Sequence, residues 1–130
     1  MTADACIRLL PEGHPETGMG PGTEAQPEHF TTDSPHELIH TFFTSGDGRV
    51  TSGVWECTPS RIEIDRYGVD EMMTVLAGAV TITDRNGRAQ TFRTGDSFVI
   101  GADWSGIWEV TETMRKFWMI YQPPEPPPQG

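Results

Sequence analysis

The chain has 130 residues, enough for one domain with a hydrophobic core and too few for two domains of ordinary size. Its 19 acidic and 9 basic side chains give a net charge of −10. Such a surface repels phosphate backbones, and the basic patch with interleaved aromatic residues that nucleic-acid binding needs does not occur.

No signal-peptide pattern and no run of 18 apolar residues is found, so we expect a cytoplasmic protein that does not bind membranes. The only cysteines, Cys6 and Cys57, match neither a disulfide framework nor a zinc motif. We expect Cys57 to be an inert thiol within a strand, because no basic residue lies beside it in the sequence.

Composition divides the chain into three parts. Residues 1–28 are acidic, rich in turn-forming residues and without hydrophobic period, which predicts an irregular arm that a partner subunit could order. Five of the eleven prolines fall in residues 123–128, which predicts a Pro-rich, extended tail over 123–130. The remaining residues, 29–122, are expected to form the folded domain.

Short β-rich runs follow one another through this domain. IHTFFT, GRVTSGVWEC and RIEID are separated by the turn signals SGDG and TPS. MMTVLAG and AVTITD lead to Asn86-Gly87, the strongest hairpin signal in the chain. AQTFRT, the turn Thr94-Gly95-Asp96, SFVIG, SGIWEV and MRKFWMIY complete the series. Eight or nine strands without a convincing helix predict an all-β protein, an antiparallel sandwich or small barrel.

Several of these segments carry a family resemblance. SGVWEC, DEMMTVLAGAVTITD, TGDSFVI and SGIWEVTETMRKFWMIY resemble the cupins over a little more than half of the chain, from about Trp55 to Tyr121. The most similar branch is the short single-domain cupins, which include ureidoglycine aminohydrolase and the ethanolamine-utilisation cupin. The resemblance implies a double-stranded β-helix, the jelly-roll cupin barrel, with one pocket.

The family's metal-binding motifs are only partly kept. In the first motif, G-x5-H-x-H-x3,4-E-x6-G, Glu71 and Gly78 keep their spacing, while Asp65 and Tyr67 stand where the two histidines would be. In the second motif, Gly106 stands in place of the histidine. The resemblance therefore implies no standard metal site. A divalent ion such as Mg²⁺, Ca²⁺ or Mn²⁺ on Asp65 and Glu71, with Tyr67, is the weaker alternative.

Residues two apart in a strand lie on one face, and the resemblance implies that the face with the family's metal-ligand positions points into the pocket, which places Asp65, Tyr67, Glu71 and Met73 there. In the last strands the expected inward residues are Gly106, Trp108, Val110, Met114, Lys116, Trp118, Ile120 and Gln122. We assign catalytic roles to Glu71, Lys116, Asp65 and Tyr67, and substrate-binding roles to Trp108, Trp118, Met73 and Gln122. Purely structural roles are the alternative: core packing for the tryptophans, a rim position or a pair with Glu112 for Lys116, and a surface strand end for Asp65.

Three functions remain open from the sequence. The first is an enzyme that acts on a small organic metabolite by isomerase- or lyase-like acid–base chemistry, with Glu71 or Asp65 as base and Lys116 as acid or anion anchor. The second is a metal-dependent cupin with the atypical Asp65, Tyr67 and Glu71 set. The third is a non-catalytic ligand-binding or accessory module. Whether the protein is an enzyme is left undecided.

Two further expectations concern the surface. The four histidines precede the barrel motifs and are expected on the surface, with the alternative that one reaches the cavity if the N-terminal segment folds over its mouth: His14, His29, His36 and His40. A barrel of this size leaves strand edges and an apolar sheet face that a second copy commonly covers, so we expect a homodimer. The candidate residues for its interface are Phe42, Phe43, Phe117 and Tyr121.

Overall fold

The computed structural model describes residues 6–22 and 35–124, where the chain forms eight β-strands and no helix. The strands are β1 (Gly20–Pro21), β2 (Glu37–Thr44), β3 (Val50–Cys57), β4 (Ser60–Ile64), β5 (Asp70–Asp84), β6 (Ala89–Arg93), β7 (Ser97–Ile100) and β8 (Gly106–Tyr121). Part of the expected arm, His29 and most of the expected Pro-rich tail lie outside the described residues. Within those residues, no helix has the length and apolar character needed to span a membrane.

The two long strands hold the barrel together. All pairings are antiparallel, and β5 pairs with β8 from Asp70–Tyr121 to Asp84–Gly106. The start of β8 also pairs with β4, and its end with β3, while β5 pairs with β7 at its start and with β6 at its end. β2 adds to β3, and β1 to β2. The long strands therefore run through both layers of a jelly roll, and the predicted all-β cupin fold is confirmed.

The passage of β5 from one layer to the other occurs at Gly78. The register between β5 and β8 shifts three times between Val75 and Val80. Gly78 has φ +76°, and a Cβ there would lie 2.0 Å from the carbonyl oxygen of Thr113. Only glycine fits such a bulge. MMTVLAG and AVTITD, predicted as separate strands, are therefore one bent strand, and SGIWEV and MRKFWMIY are likewise joined in β8.

The turn predictions are confirmed with one difference in detail. Asn86-Gly87 lies in the β5–β6 hairpin, where Gly87 has φ +87° and its N–H donates to the carbonyl of Asp84. The loop holds four residues, 85–88, rather than two. Gly95, at φ +95°, makes the turn between β6 and β7.

The core lies between the layers and follows the predicted alternation of β8. Five of its even-numbered side chains are buried: Trp108, Val110, Met114, Lys116 and Trp118. Glu112, where the register with β5 shifts, is exposed. The intervening Arg115, Phe117 and Met119 lie on the outer face and are half-buried or exposed. The inner face of β8 thus combines two indole rings with a lysine, and this combination forms part of the site described below.

The described part of the arm, residues 6–22, packs against the outer face of its own barrel. β1 pairs with β2. The Arg115 guanidinium donates to the carbonyl of Pro11 at 3.0 Å and forms a salt bridge with Glu12 at 3.0 Å. These contacts place residues 6–22 on the barrel surface.

The outer sheet face carries exposed apolar side chains in one cross-strand row, Val99–Met72–Met119, with Tyr121 nearby on β8. Of the four residues expected at a dimer interface, Tyr121 is exposed, whereas Phe42, Phe43 and Phe117 are half-buried. The homodimer stays a prediction.

Candidate functional site

A cavity of about 620 Å³ lies between the layers. Tryptophan and aliphatic side chains form its apolar wall: Trp55, Trp108, Trp118, Ile62, Ile64, Val69 and Ile120. Charged side chains are also present: Glu37, Arg49, Arg66, Glu71 and Lys116. Its volume and its combination of apolar surface with polar groups fit a small-molecule site.

The polar centre of the cavity consists of Lys116, Glu71 and Tyr67. The Lys116 ammonium lies 2.6 Å from one carboxylate oxygen of Glu71, and the Tyr67 hydroxyl donates to the other oxygen at 2.5 Å. The side chains of Lys116 and Glu71 are only 7% and 5% exposed. Both carboxylate oxygens therefore accept a hydrogen bond in a dry environment, where charge-assisted bonds are strong.

Three elements position this centre. Glu71 is the second residue of β5, Lys116 lies on β8, and Tyr67 lies in the β4–β5 loop. The loop is tied to the segment before β8, because the N–H groups of Tyr67 and Gly68 donate to the carbonyls of Trp104 and Ala102 at 2.9 and 2.8 Å. These backbone hydrogen bonds hold the loop from which the Tyr67 side chain reaches Glu71.

The apolar surroundings compensate the buried ammonium. Lys116 Nζ lies 3.0 Å from the Met73 sulfur and 4.8 Å from the ring centroids of both Trp55 and Trp108. Indole faces attract cations, and the attraction increases when water is excluded. The Trp55 indole N–H in turn donates to Glu37 at 3.0 Å, which fixes that ring. A counter-ion and two rings together make burial of this charge tolerable.

Most of the predicted residues meet at this cavity. Glu71, Lys116, Tyr67, Trp108, Trp118 and Gln122 line it. Met73 is fully buried behind Lys116 and does not line the space itself. Gln122 lies at the exposed rim, where its amide donates to the Gly68 carbonyl at 3.4 Å.

The predicted cavity position of Asp65 is wrong. Its side chain is fully exposed and forms a long salt bridge, 3.7 Å, with Arg85 on the surface. The prediction rested on the place of Asp65 in the family's metal motif, where a histidine would face the pocket, but β4 ends at Ile64 and the chain turns there. Ile64 lines the cavity instead, and Glu71 is the acid that the centre retains.

The donor set does not fit a divalent metal ion. Asp65 points outward, and a cation beside Glu71 would meet the Lys116 ammonium. A Cβ at Gly106 would lie 2.1 Å from the Thr83 carbonyl oxygen, so no ligand side chain can stand there. Across residues 6–22 and 35–124, no three His, Cys, Asp or Glu side chains come together. The Asp65, Tyr67 and Glu71 set considered from the sequence is therefore not assembled.

Sequence reasoning missed several cavity residues. Trp55 and Cys57 alternate on β3, which pairs with the lysine-bearing part of β8, and this pairing was the signal that would have placed them. Arg49 precedes β3 in a loop and had no comparable signal. The imidazole rings of His14 and His40 pack edge to face, with their centroids 5.6 Å apart. Neither these two histidines nor His36 line the cavity.

Cys57 and Trp118 add two polar groups to the cavity wall. The Cys57 thiol lies 3.5 Å from the Ser60 hydroxyl, and burial raises the pKa of that thiol, which fits an unreactive cysteine. The Trp118 indole N–H is buried and has no hydrogen-bond partner among the described residues. Leaving a buried donor unpaired costs about 1–3 kcal/mol.

Comparison with known proteins defines the class and then the family. The antiparallel barrel, with a cavity between its layers, has the architecture of a cupin. The family model of the EutQ-like cupin domain matches residues 44–118, more than half of the chain. The protein therefore belongs to the EutQ-like cupin family. No curated protein sequence matches it.

Solved structures show the same fold at low identity. A protein of unknown function of the DUF861 family from Pseudomonas syringae is 22% identical, with TM-score 0.78, over 86% of this chain and 46% of that one. The EutQ protein of Clostridium difficile is 20% identical, with TM-score 0.60, over 70% and 66% of the two chains. A putative ethanolamine utilization protein Q from Salmonella typhimurium is 17% identical, with TM-score 0.58, over 67% and 70%. The matched region thus spans under half of the Pseudomonas protein and just under two thirds of the Clostridium protein.

Proposed function

We propose that this cupin domain binds a small organic molecule in its cavity and catalyses an isomerase- or lyase-like acid–base reaction on it. The observation that supports the proposal is the buried pair of Lys116 and Glu71, which the half-buried Tyr67 extends, beside an apolar cavity wall. A buried ion pair is weak evidence for stability, because well-packed apolar residues of similar volume often serve equally well. Its presence beside a cavity therefore favours a chemical role.

In the proposed reaction Glu71 removes a proton from a substrate carbon next to a carbonyl group. The electron pair of the broken C–H bond moves onto the carbonyl oxygen, and Lys116 and Tyr67 stabilise the oxyanion that forms. In a substrate with a double bond beside that carbon, the electron pair extends through the bond, and return of the proton at its far end completes an isomerisation. With a leaving group on the next carbon, the carbonyl re-forms, a C=C bond forms, and the leaving group departs with its bonding electrons, which completes an elimination. Both outcomes balance without an oxidant or reductant.

Solvent deuterium exchange tests this step without knowledge of the product. Ligands are first found in a pool of small metabolites through the fluorescence of Trp55, Trp108 and Trp118, which all line the cavity. Each ligand is then incubated with the protein in D₂O and followed by NMR. We expect exchange at one carbon, and we expect Glu71→Gln to slow it by about a hundredfold or more.

The matched control is Glu112→Gln, which removes a carboxylate from an exposed pair with Arg93. It should leave exchange unchanged. Full exchange in Glu71→Gln would remove Glu71 from the mechanism, and binding without exchange in the unmodified protein would favour a non-catalytic module. One observation supports that second function: both oxygens of Glu71 are already hydrogen-bonded, so the centre can serve as a fixed polar wall.

The metal-dependent alternative has no comparable support, because Asp65 is on the surface and Glu71 faces an ammonium. Elemental analysis of untagged protein checks it, and a stoichiometric divalent ion would revive it.

A further inference from the structure

We propose that the ligand is a small organic carboxylic acid whose carboxylate binds Arg49 at the cavity rim. This inference rests on the proposed binding function. Its starting point is the pairing of the charged side chains around the cavity, since Lys116 is paired with Glu71 and Arg66 with Asp103. Glu37 accepts a hydrogen bond from the Trp55 indole. Among the lining cations, the charge left for a ligand anion is therefore that of Arg49.

Arg49 is the cation best placed to bind it. Its guanidinium donates to the backbone carbonyl of Gln122 at 3.0 Å and forms no salt bridge within residues 6–22 and 35–124. The neighbouring Asp47 is bound instead by the Arg49 backbone N–H at 3.0 Å and by the Ser45 hydroxyl at 2.7 Å. The neutral Gln122 carbonyl thus orients the Arg49 guanidinium, and the positive charge of the guanidinium has no direct ionic partner among the described residues.

The strand register places Arg49 at a useful distance from the polar centre. Glu71, Ile120 and Thr51 form one cross-strand row. Arg49 lies two residues before Thr51, and the N–H of Gln122 donates to its carbonyl at 2.7 Å. Glu71 and Thr51 are separated by two strand spacings, about 9.5 Å, and the two residues from Thr51 to Arg49 add about 7 Å along the strand, so the Cα atoms of Glu71 and Arg49 lie about 12 Å apart. Both side chains line the cavity and occupy part of this distance. A molecule with a carboxylate at the rim and a reacting carbon near Glu71 is therefore small, and Ile120 and Val69 offer its body an apolar wall.

The donors favour a carboxylate over a phosphate. A guanidinium is a planar fork that matches the two oxygens of a carboxylate. Phosphate sites commonly add backbone N–H groups from a helix N-terminus, and the described residues contain no helix. Arg66, the other rim cation, pairs with Asp103 at 3.2 Å on the surface. It supplements the charge without completing a phosphate cradle.

Matched probes test the inference on the full chain. Phenylacetate and hexanoate are compared with their neutral amides and with phenyl phosphate, by calorimetry and by tryptophan fluorescence. We expect both acids to bind at least about tenfold more tightly than the amides, as a charge-assisted bidentate bond implies. Arg49→Gln should abolish this preference, and Arg49→Lys, which keeps the charge without the fork, should retain only part of it.

The control is Arg88→Gln, which removes an arginine that does not line the cavity and should keep the preference. Amides that bind as tightly as the acids, or a preference that survives Arg49→Gln, would overturn the inference. Tighter binding of phenyl phosphate would replace the carboxylate with a phosphate. If only the amides bind, the carboxylate inference fails and the proposed binding site stands, whereas failure of every probe counts against both.

Discussion

Two adjacent residues of β8 carry cations in opposite environments. Lys116 points into the barrel, where it is 7% exposed and meets Glu71, two indole rings and a thioether. Arg115 points outward, is 21% exposed, and bonds Glu56 on β3 together with Glu12 and a carbonyl of the arm. The inner face of β8 thus contributes to the buried polar centre, and its outer face binds the arm.

The comparison shows what burial requires of a charge. Inside the barrel each carboxylate oxygen of Glu71 has its own donor, because an unpaired charge would be very costly there. Outside, Glu12 is 85% exposed, and water can replace its contact with Arg115. Removing one partner of the Lys116–Glu71 pair should therefore strongly destabilise the other, whereas water can take the place of a lost outer contact.

The largest loss of stability should come from removing the counter-ion of Lys116. Glu71→Leu leaves the Lys116 ammonium buried without its counter-ion and should lower the free energy of unfolding by about 3–5 kcal/mol. The double variant Glu71→Leu/Lys116→Met should recover most of this loss. Urea denaturation measures both, and a double variant no more stable than Glu71→Leu would show that the pair is not coupled.

Removing the outer cation, Arg115, should lower the free energy of unfolding by less than Glu71→Leu does. Arg115→Met removes the bonds to Glu56 and to the arm and should cost about 1–3 kcal/mol. Trypsin should also cut faster after Arg8, because the arm loses its anchor. Arg93→Met breaks an exposed pair with Glu112 and should change stability by about 0.5 kcal/mol or less. Equal losses in the two variants would mean that Arg115 is an ordinary surface residue.

Removing one hydroxyl from the inner centre should have a smaller effect still. Tyr67→Phe deletes the donor to Glu71 and should cost about 1–2 kcal/mol. The fluorescence of the cavity tryptophans should report whether the ring stays in place. A loss as large as that of Glu71→Leu would indicate that the β4–β5 loop itself depends on this bond.

The mildest perturbation is chemical labelling of the two cysteines. Cys57 is buried at the cavity wall and Cys6 is exposed. Burial raises the pKa of the Cys57 thiol, so less of it is thiolate at neutral pH and iodoacetamide should react with Cys6 first. The difference should disappear in urea, as mass spectrometry can show. Fast alkylation of Cys57 in the folded protein would contradict the dry cavity wall.

Much of the fold could be predicted because its signals are local. Alternation along β8 placed Trp108, Lys116 and Trp118 inside, and glycine spacing marked Gly78 and the turns. Strand ends were harder to predict, because a bulge or turn changes the alternation without changing composition. That is why β5 and β8 were each divided in two. Asp65 was placed in the cavity because it stands at a histidine position of the family motif, and the turn after β4 moves it to the surface.

The candidate site was predicted where a family motif or alternation along one strand placed a residue, and missed where distant segments meet. Glu71 and Lys116 are 45 residues apart; the family motif placed Glu71 in the pocket, and alternation along the last strand placed Lys116 there. Trp55 and Arg49 come from β3 and the loop before it, and only the β3–β8 register brings them to the same cavity.

By itself, the sequence determined the all-β class, the inward face of β8 and the presence of an acid and a lysine for one pocket, because side-chain alternation and glycine conformation are properties of short segments. Only the tertiary structure decided that Lys116 bonds Glu71 between two indole rings, that Arg115 holds the arm and that Asp65 stays in water. These outcomes depend on the register between strands far apart in the chain and on which charges that register removes from water.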